Sequence, residues 1–243
     1  MARNSLEADC SPSRAELATR VDLRESPFGF PPVYDQCWLD SCTACAVSAV
    51  LAFDVRHRTP ESDFEPSCLF LYYNERRSFG ANGSAVYLRN CLTELNETGI
   101  CAEREWPFDP CCAKIEPPLS AYRCALSRRN FDVVRLPREL PRLKATLAAG
   151  FPFVCGIAVH HSAFAPQVRR SGELPLPAAD DPRFAVHAIA VTGYDDAGQR
   201  FFFRNSQGEQ WGDGGYGTLP YAYLLDPNLA TSFWVVKTGA QGA

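Results

Sequence analysis

Three cysteines fall close together in the stretch "YDQCWLDSCTACAVSAV", residues 34–50: Cys37, Cys42 and Cys45. A cysteine attacks as the thiolate, and the start of a helix favours that anion through its free N–H groups and its dipole. Cys42 opens the run "CTACAVSAVLAF", apolar nearly all the way round, as in a helix enclosed by protein. Ser41 or Asp40 is placed to cap this helix. Cys42 therefore occupies the position where a thiol is activated. Cys45, one turn further in, reads as a small core residue.

A nucleophile of this kind also needs a base, a group that orients the base, and donors for the developing oxyanion. There are four histidines. His57 sits in the charged "VRHRTP" and reads as solvated. His160 and His161 are neighbours at a strand end, so they point to opposite faces and at most one could serve. His187 begins "HAIAVTGY", and Asn205 follows after one hairpin turn at "DDAG", residues 195–198. Paired strands set such residues side by side, so Asn205 can accept from one ring nitrogen and leave the other for a thiol.

Other cysteine chemistry fits less well. Cys42-x-x-Cys45 at a helix start resembles a thiol oxidoreductase motif, but that reading needs a strand–helix–strand context and gives Gln36, His187 and Asn205 nothing to do. A structural metal has no second CxxC pair to draw on, and the adjacent Cys111 and Cys112 suit a tetrahedral ligand set badly. No metal and no cofactor are expected.

These residues must be held by elements from both ends of the chain. Residues 1–20 are polar and lack periodicity, which predicts a tail, with a single domain over 21–243. A second helix is expected in "SAVYLRNCLTELNETG", with Ser84 as its cap and Gly99 as its stop, and a short one in "PSCLFLYYNERR". A proline-rich crossover at residues 106–118 ends this helical part, about 36–118. The part from about 119 to 237 holds one helix, "ELPRLKATLAAG", and four strands: "FPFVCGIAVH", "HAIAVTGY", "RFFFRNS" and "TSFWVVKT". The fold class is α+β.

Composition narrows the partners. With 243 residues and 46% hydrophobic content the chain can bury a large core, and a net charge of −4 offers no basic surface for nucleic acid. Neither a signal peptide nor a membrane-spanning run is visible. A soluble protein in a reducing environment is expected, with most of its 11 cysteines free.

The stretch "PPVYDQCWLDSCTACAVSAVLAFD" resembles the active-site segment of papain-like cysteine peptidases, above all their bacterial and viral branch. Gln36 precedes Cys42 by the six positions found there. "HAIAVTGYDD" resembles the family's histidine strand and "RNSQGEQWGDGGYGTLPYAYL" its asparagine motif. "LFLYYNERR", "GICAEREWPFDP" and "LKATLAAGFPFVCGIAV" fill the interval, so the likeness runs from about Val21 to Val236. It implies a papain-like two-lobed fold, a helical left lobe and an antiparallel β-barrel-like right lobe with the cleft between. Cys42 would be the nucleophile, His187 the base, Asn205 its orienter, and Gln36 with the Cys42 N–H the oxyanion hole. The substrate would be a protein or peptide, and the location cytoplasmic or particle-associated.

Four departures stand out. Cys37 follows the glutamine where glycine is usual. Asp40 places a negative charge near the thiolate and should raise the thiol pKa. Gln207 replaces a tryptophan that covers the His–Asn pair, which predicts a wetter pair, although Trp211 follows. Leu39 stands where a disulfide cysteine is usual. These changes raise a second reading, a silent peptidase fold that acts by binding; acyl transfer to an amine would use the same residues as hydrolysis. Oxidation joining Cys42 to Cys37 or Cys45 would switch the site off.

Overall fold

The computed structural model describes residues 17–62, 64–79 and 88–239. Its centre is helix α1, Cys42–Arg58, in which every residue from Thr43 to Asp54 is buried. That enclosure is what its apolar surface all round requires. On one side lie α2 (Cys68–Phe79) and α3 (Leu88–Glu97). Val47 and Leu51 of α1 share a core there with Leu69, Leu92 and Leu95. The cap expected at Ser84 lies outside the described residues, and α3 stops at Gly99, whose φ of 84° suits glycine. Helix α4 (Leu119–Leu126), which periodicity did not reveal, packs Ala121 and Ala125 against Phe70 and Cys101.

On its other side α1 rests on an antiparallel sheet. Its strands are β1 (Arg20–Asp22), β2 (Phe131–Arg135), β3 (Phe153–His160), β4 (Arg183–Asp195), β5 (Arg200–Arg204), β6 (Tyr216–Pro220) and β7 (Ala230–Thr238). The order is β2-β7-β3-β4-β5-β6, with β1 added beside β4, and the sheet stays open at its ends rather than closing into a barrel. The four expected strands correspond to β3, β4, β5 and β7; the short β1, β2 and β6 gave no clear alternation. Helix α5 (Leu140–Ala148) covers the sheet through Leu143 and Leu147. A second core of Phe153, Ile189, Phe201, Phe203 and Leu219 fills the far face.

One contact locks helix to sheet. The buried carboxylate of Asp54, on α1, accepts from both the backbone N–H and the hydroxyl of Thr238, each at 2.7 Å. Within the sheet β1 approaches β4 so closely that a Cβ on Gly193 would lie 2.2 Å from the Val21 carbonyl. Only glycine permits that pairing. Among the described residues no helix is long and apolar enough to cross a membrane, and no group of three or more His, Cys, Asp or Glu could hold a metal ion.

Candidate active site

The first turn of α1 meets β4 at the junction of helices and sheet, and this meeting brings Cys42 to His187. The loop before the helix arrives through an anchored path. Buried Arg204, the last residue of β5, donates from Nη1 to the Pro31 carbonyl at 2.8 Å and from Nη2 to that of Pro32 at 2.5 Å. Its guanidinium also lies over the rings of Phe30 and Tyr34. A Cβ on Gly215 would stand 2.5 Å from Val33 Cγ1, so the glycine-rich turn "GDGGYG" is shaped to receive this loop.

Gln36 is thereby fixed. Its N–H donates to the Ser206 carbonyl at 2.8 Å, its side-chain oxygen accepts from Ser206 Oγ at 2.5 Å, and its Nε2 donates to the Leu39 carbonyl at 2.7 Å. One N–H of the side-chain amide remains for another acceptor. Cys37 then turns the chain with φ 52°, its N–H held by Asp35 Oδ1 at 2.8 Å. The expected glycine is thus explained by conformation: the backbone is left-handed there, and the thiol side chain tolerates it at a cost of about 1 kcal/mol.

Ser41 occupies the cap position of α1 but makes no side-chain cap; its hydroxyl lies 3.7 Å from Cys45 Sγ. Asp40, one residue earlier, is exposed at the cleft rim, where water screens its charge. The groups that set the Cys42 thiol lie elsewhere. Burial pushes it up, but the hydrogen bond and charge of His187, with the N–H groups of Ala188 and Thr43, outweigh burial and bring it below the ordinary thiol value. His187 mirrors this. Burial favours its neutral form, yet its contact with the Cys42 thiol, the thiolate's charge and the Asn205 hydrogen bond raise it above the ordinary imidazole value.

On β4, His187 pairs in register with Ile157 of β3, and Asn205 directly follows β5. His187 Nε2 donates to Asn205 Oδ1 at 2.8 Å, which leaves Nδ1 for Cys42. Asn205 Oδ1 also accepts from the Ser206 N–H at 2.8 Å, and the residue is only 6% exposed. The asparagine end is therefore dry although Gln207 is exposed; Trp211 packs on Phe203 instead, with ring centroids 5.8 Å apart. All four expected site residues, Gln36, Cys42, His187 and Asn205, line one cavity of about 560 Å³.

The remaining candidates stand apart. His57 ends α1, with Nδ1 against the Phe53 carbonyl at 2.9 Å and Nε2 against Ser26 Oγ at 2.6 Å. His160 ends β3, and His161, the next residue, meets Phe184 edge-on. Cys45 faces not Cys42 but Cys68, with the two sulfurs 2.9 Å apart in the core. Arg204 and Ser206 are the participants that sequence reasoning passed over. Both stand in "RNS", beside the asparagine, and a charged residue directly after three phenylalanines was the available signal.

A helical lobe and an antiparallel sheet, meeting at a cleft that holds a cysteine at a helix start against a histidine on a strand, define the papain-type architecture. The model of the papain family cysteine proteases matches residues 17–223, and the chain belongs to that family. It is 32% identical over 213 residues to an uncharacterized peptidase C1-like protein of Acanthamoeba polyphaga mimivirus, covering 84% of this chain and 68% of that protein. The structure is similar to xylellain, a cysteine protease from Xylella fastidiosa, with a TM-score of 0.83 and 36% identity over 92% of this chain and 87% of that one. A digestive procathepsin L 3 of Tenebrio molitor shares the fold at a TM-score of 0.71 and 19% identity, over 93% of this chain and 71% of that one.

Proposed function

We propose that this chain is a working cysteine peptidase that cleaves peptide bonds in protein or peptide substrates. Cys42 Sγ, as the thiolate of a Cys42–His187 ion pair, attacks the carbonyl carbon, and a C–S bond forms as the C=O pair moves onto oxygen. The remaining N–H of the Gln36 side-chain amide and the backbone N–H of Cys42 receive that oxyanion. The His187 imidazolium gives its Nδ1 proton to the departing nitrogen, the C–N bond breaks, and an acyl-enzyme remains. Water, deprotonated by the now neutral His187, attacks the thioester and returns Cys42 as the thiolate. Asn205 holds the imidazole in the orientation both steps need.

The observation that carries this reading is the unbroken line from Cys42 through His187 to Asn205, with the thiol lowered and the imidazole raised together.

The test is digestion of denatured casein and of a mixed quenched-peptide library under reducing conditions. The reading predicts turnover that falls at least ~10³-fold in Cys42→Ala and in His187→Ala. Folded wild-type protein that cleaves nothing would support the binding-only reading instead.

A further inference from the structure

Two buried thiols take no part in the chemistry above. Cys45 stands one turn along α1 from Cys42, and Cys68 is the first residue of α2. Both are free thiols, and their sulfurs lie 2.9 Å apart in the core that α1 shares with α2 and α3. A disulfide bond is about 2.05 Å long, so the two sulfurs need close by only about 0.9 Å to reach it. A buried cysteine taken singly is a small apolar filler. Two that meet sulfur to sulfur across a helix pair have a covalent bond within reach.

The backbone sets this meeting from both sides. The Cys45 N–H donates to the Ser41 carbonyl at 2.9 Å, which closes the first turn of α1. Ser67 fixes the start of α2. Its N–H donates to the Cys101 carbonyl at 2.9 Å, its hydroxyl donates to the Trp106 carbonyl at 2.6 Å, and its Oγ accepts from the Phe70 N–H at 3.1 Å. Joining the sulfurs therefore asks little movement of either helix, the condition under which a cross-link stabilises without strain. Cys42 is drawn away from the pair, because its thiol is bonded to His187.

We propose that Cys45 and Cys68 are joined by a disulfide that staples α1 to α2 and leaves Cys42 free. The staple goes beyond the peptidase reading and does not depend on it. A Cys45 bonded to Cys68 has no thiol left to trap Cys42. The oxidant is a low-molecular-weight disulfide such as oxidised glutathione. One thiolate of the pair attacks it, giving a mixed disulfide and releasing one small thiol. The second thiolate attacks the protein sulfur of that mixed disulfide, forming the Cys45–Cys68 bond and releasing the other small thiol. In all, the two protein thiols lose two electrons and two protons, which the reagent takes up as its two thiols. Burial pushes the Cys68 thiol well up and encloses both sulfurs, so the bond forms while the chain folds. The same enclosure then shields it from reductants.

The experiment refolds the full, reduced chain from denaturant in a mixture of reduced and oxidised glutathione. The folded product is treated briefly with dithiothreitol, its remaining thiols are alkylated in denaturant, and its peptides are mapped without reduction. The Cys45 peptide should be linked to the Cys68 peptide in most of the protein, with Cys42 alkylated. Linked protein should melt about 5–10 °C above protein refolded under full reduction, since the bond closes a loop between positions 23 apart. Cys68→Ala refolded in the two ways should show no such difference. Cys45 and Cys68 both alkylated after oxidative refolding would overturn the staple, as would Cys45 linked to Cys37, Cys42 or Cys91, or a melting temperature that the link does not raise. The peptidase reading is decided separately, by whether either form cleaves casein.

Discussion

Ser206 Oγ donates to Gln36 Oε1 at 2.5 Å, joining two residues 170 positions apart in the chain. The same serine gives its N–H to Asn205 Oδ1 and takes the Gln36 N–H on its carbonyl. One residue thus sets the orientation of both Gln36 and Asn205. Ser206→Ala should lower kcat about 10-fold with KM within about 2-fold, because the glutamine is needed most in the transition state. Stability should fall by about 1 kcal/mol for the lost hydrogen bond. Steady-state kinetics with urea unfolding checks both, and an unchanged kcat would remove Ser206 from the site.

The opposed shifts of Cys42 and His187 give a pH prediction. The thiolate exists above the lowered Cys42 value and the imidazolium below the raised His187 value, so the ion pair fills the window between. Alkylation of Cys42 by iodoacetamide should therefore have its midpoint below the ordinary thiol value of about 8.5. In His187→Ala only burial and the two N–H groups remain, and the midpoint should move up. A midpoint unchanged by that substitution would contradict the pairing.

Arg204 predicts a structural effect at the same site. It is 2% exposed, and the Pro31 and Pro32 carbonyls that it binds belong to the loop leading to Gln36. Arg204→Met should cost about 2–4 kcal/mol and lower kcat/KM together, since the carbonyls lose their donors and the loop its anchor. Thermal unfolding and kinetics measure the two effects. A variant as stable as wild type would show the anchor to be dispensable.

Glu75 is fully buried behind α1, where it accepts from Thr43 Oγ1 at 3.2 Å. Burial, opposed by the Thr43 hydrogen bond, pushes its carboxyl up to about 8. A folded value above the unfolded one, about 4.3, means that the protein holds this proton more tightly than the unfolded chain does. The stability it confers is complete at acid pH and is lost as pH rises through about 8. Between pH 5 and 8.5 the wild-type protein should lose about 2–4 kcal/mol relative to Glu75→Gln. Parallel pH profiles of the two proteins would refute the shift.

Cys37 gives the last prediction. At φ 52° a β-branched residue fits badly. Cys37→Val should destabilise by about 1–2 kcal/mol, whereas Cys37→Gly should lie within about 1 kcal/mol of wild type. Equal stabilities of the Val and Gly variants would show that the left-handed turn is absent.

The helix that carries Cys42 was legible because its apolar run is long and uninterrupted, and the strand that carries His187 because its residues are β-branched. The pairing of His187 with Asn205 followed from a single hairpin. What escaped the sequence was long-range. Nothing local to Arg204 says that its fork meets two proline carbonyls far upstream, and Ser206 has no partner until the sheet brings Gln36 to it. Cys45 reads as a core residue, but its neighbour Cys68 belongs to another helix. Asp40 looked adjacent to the thiol in sequence, yet the turn leaves it exposed to solvent. Short β1, β2 and β6 are stabilised by their neighbours rather than by their own pattern, so propensity could not find them.

The most direct measurement is labelling of the reduced protein with an epoxysuccinyl peptide inhibitor, followed by peptide mapping. A single covalent adduct on Cys42 that disappears in His187→Ala is the expected result, with Cys45 and Cys68 untouched because they are buried at 1% and 2% exposure. Folded protein that takes no label, or label divided equally between Cys42 and Cys45, would contradict a Cys42 nucleophile activated by His187.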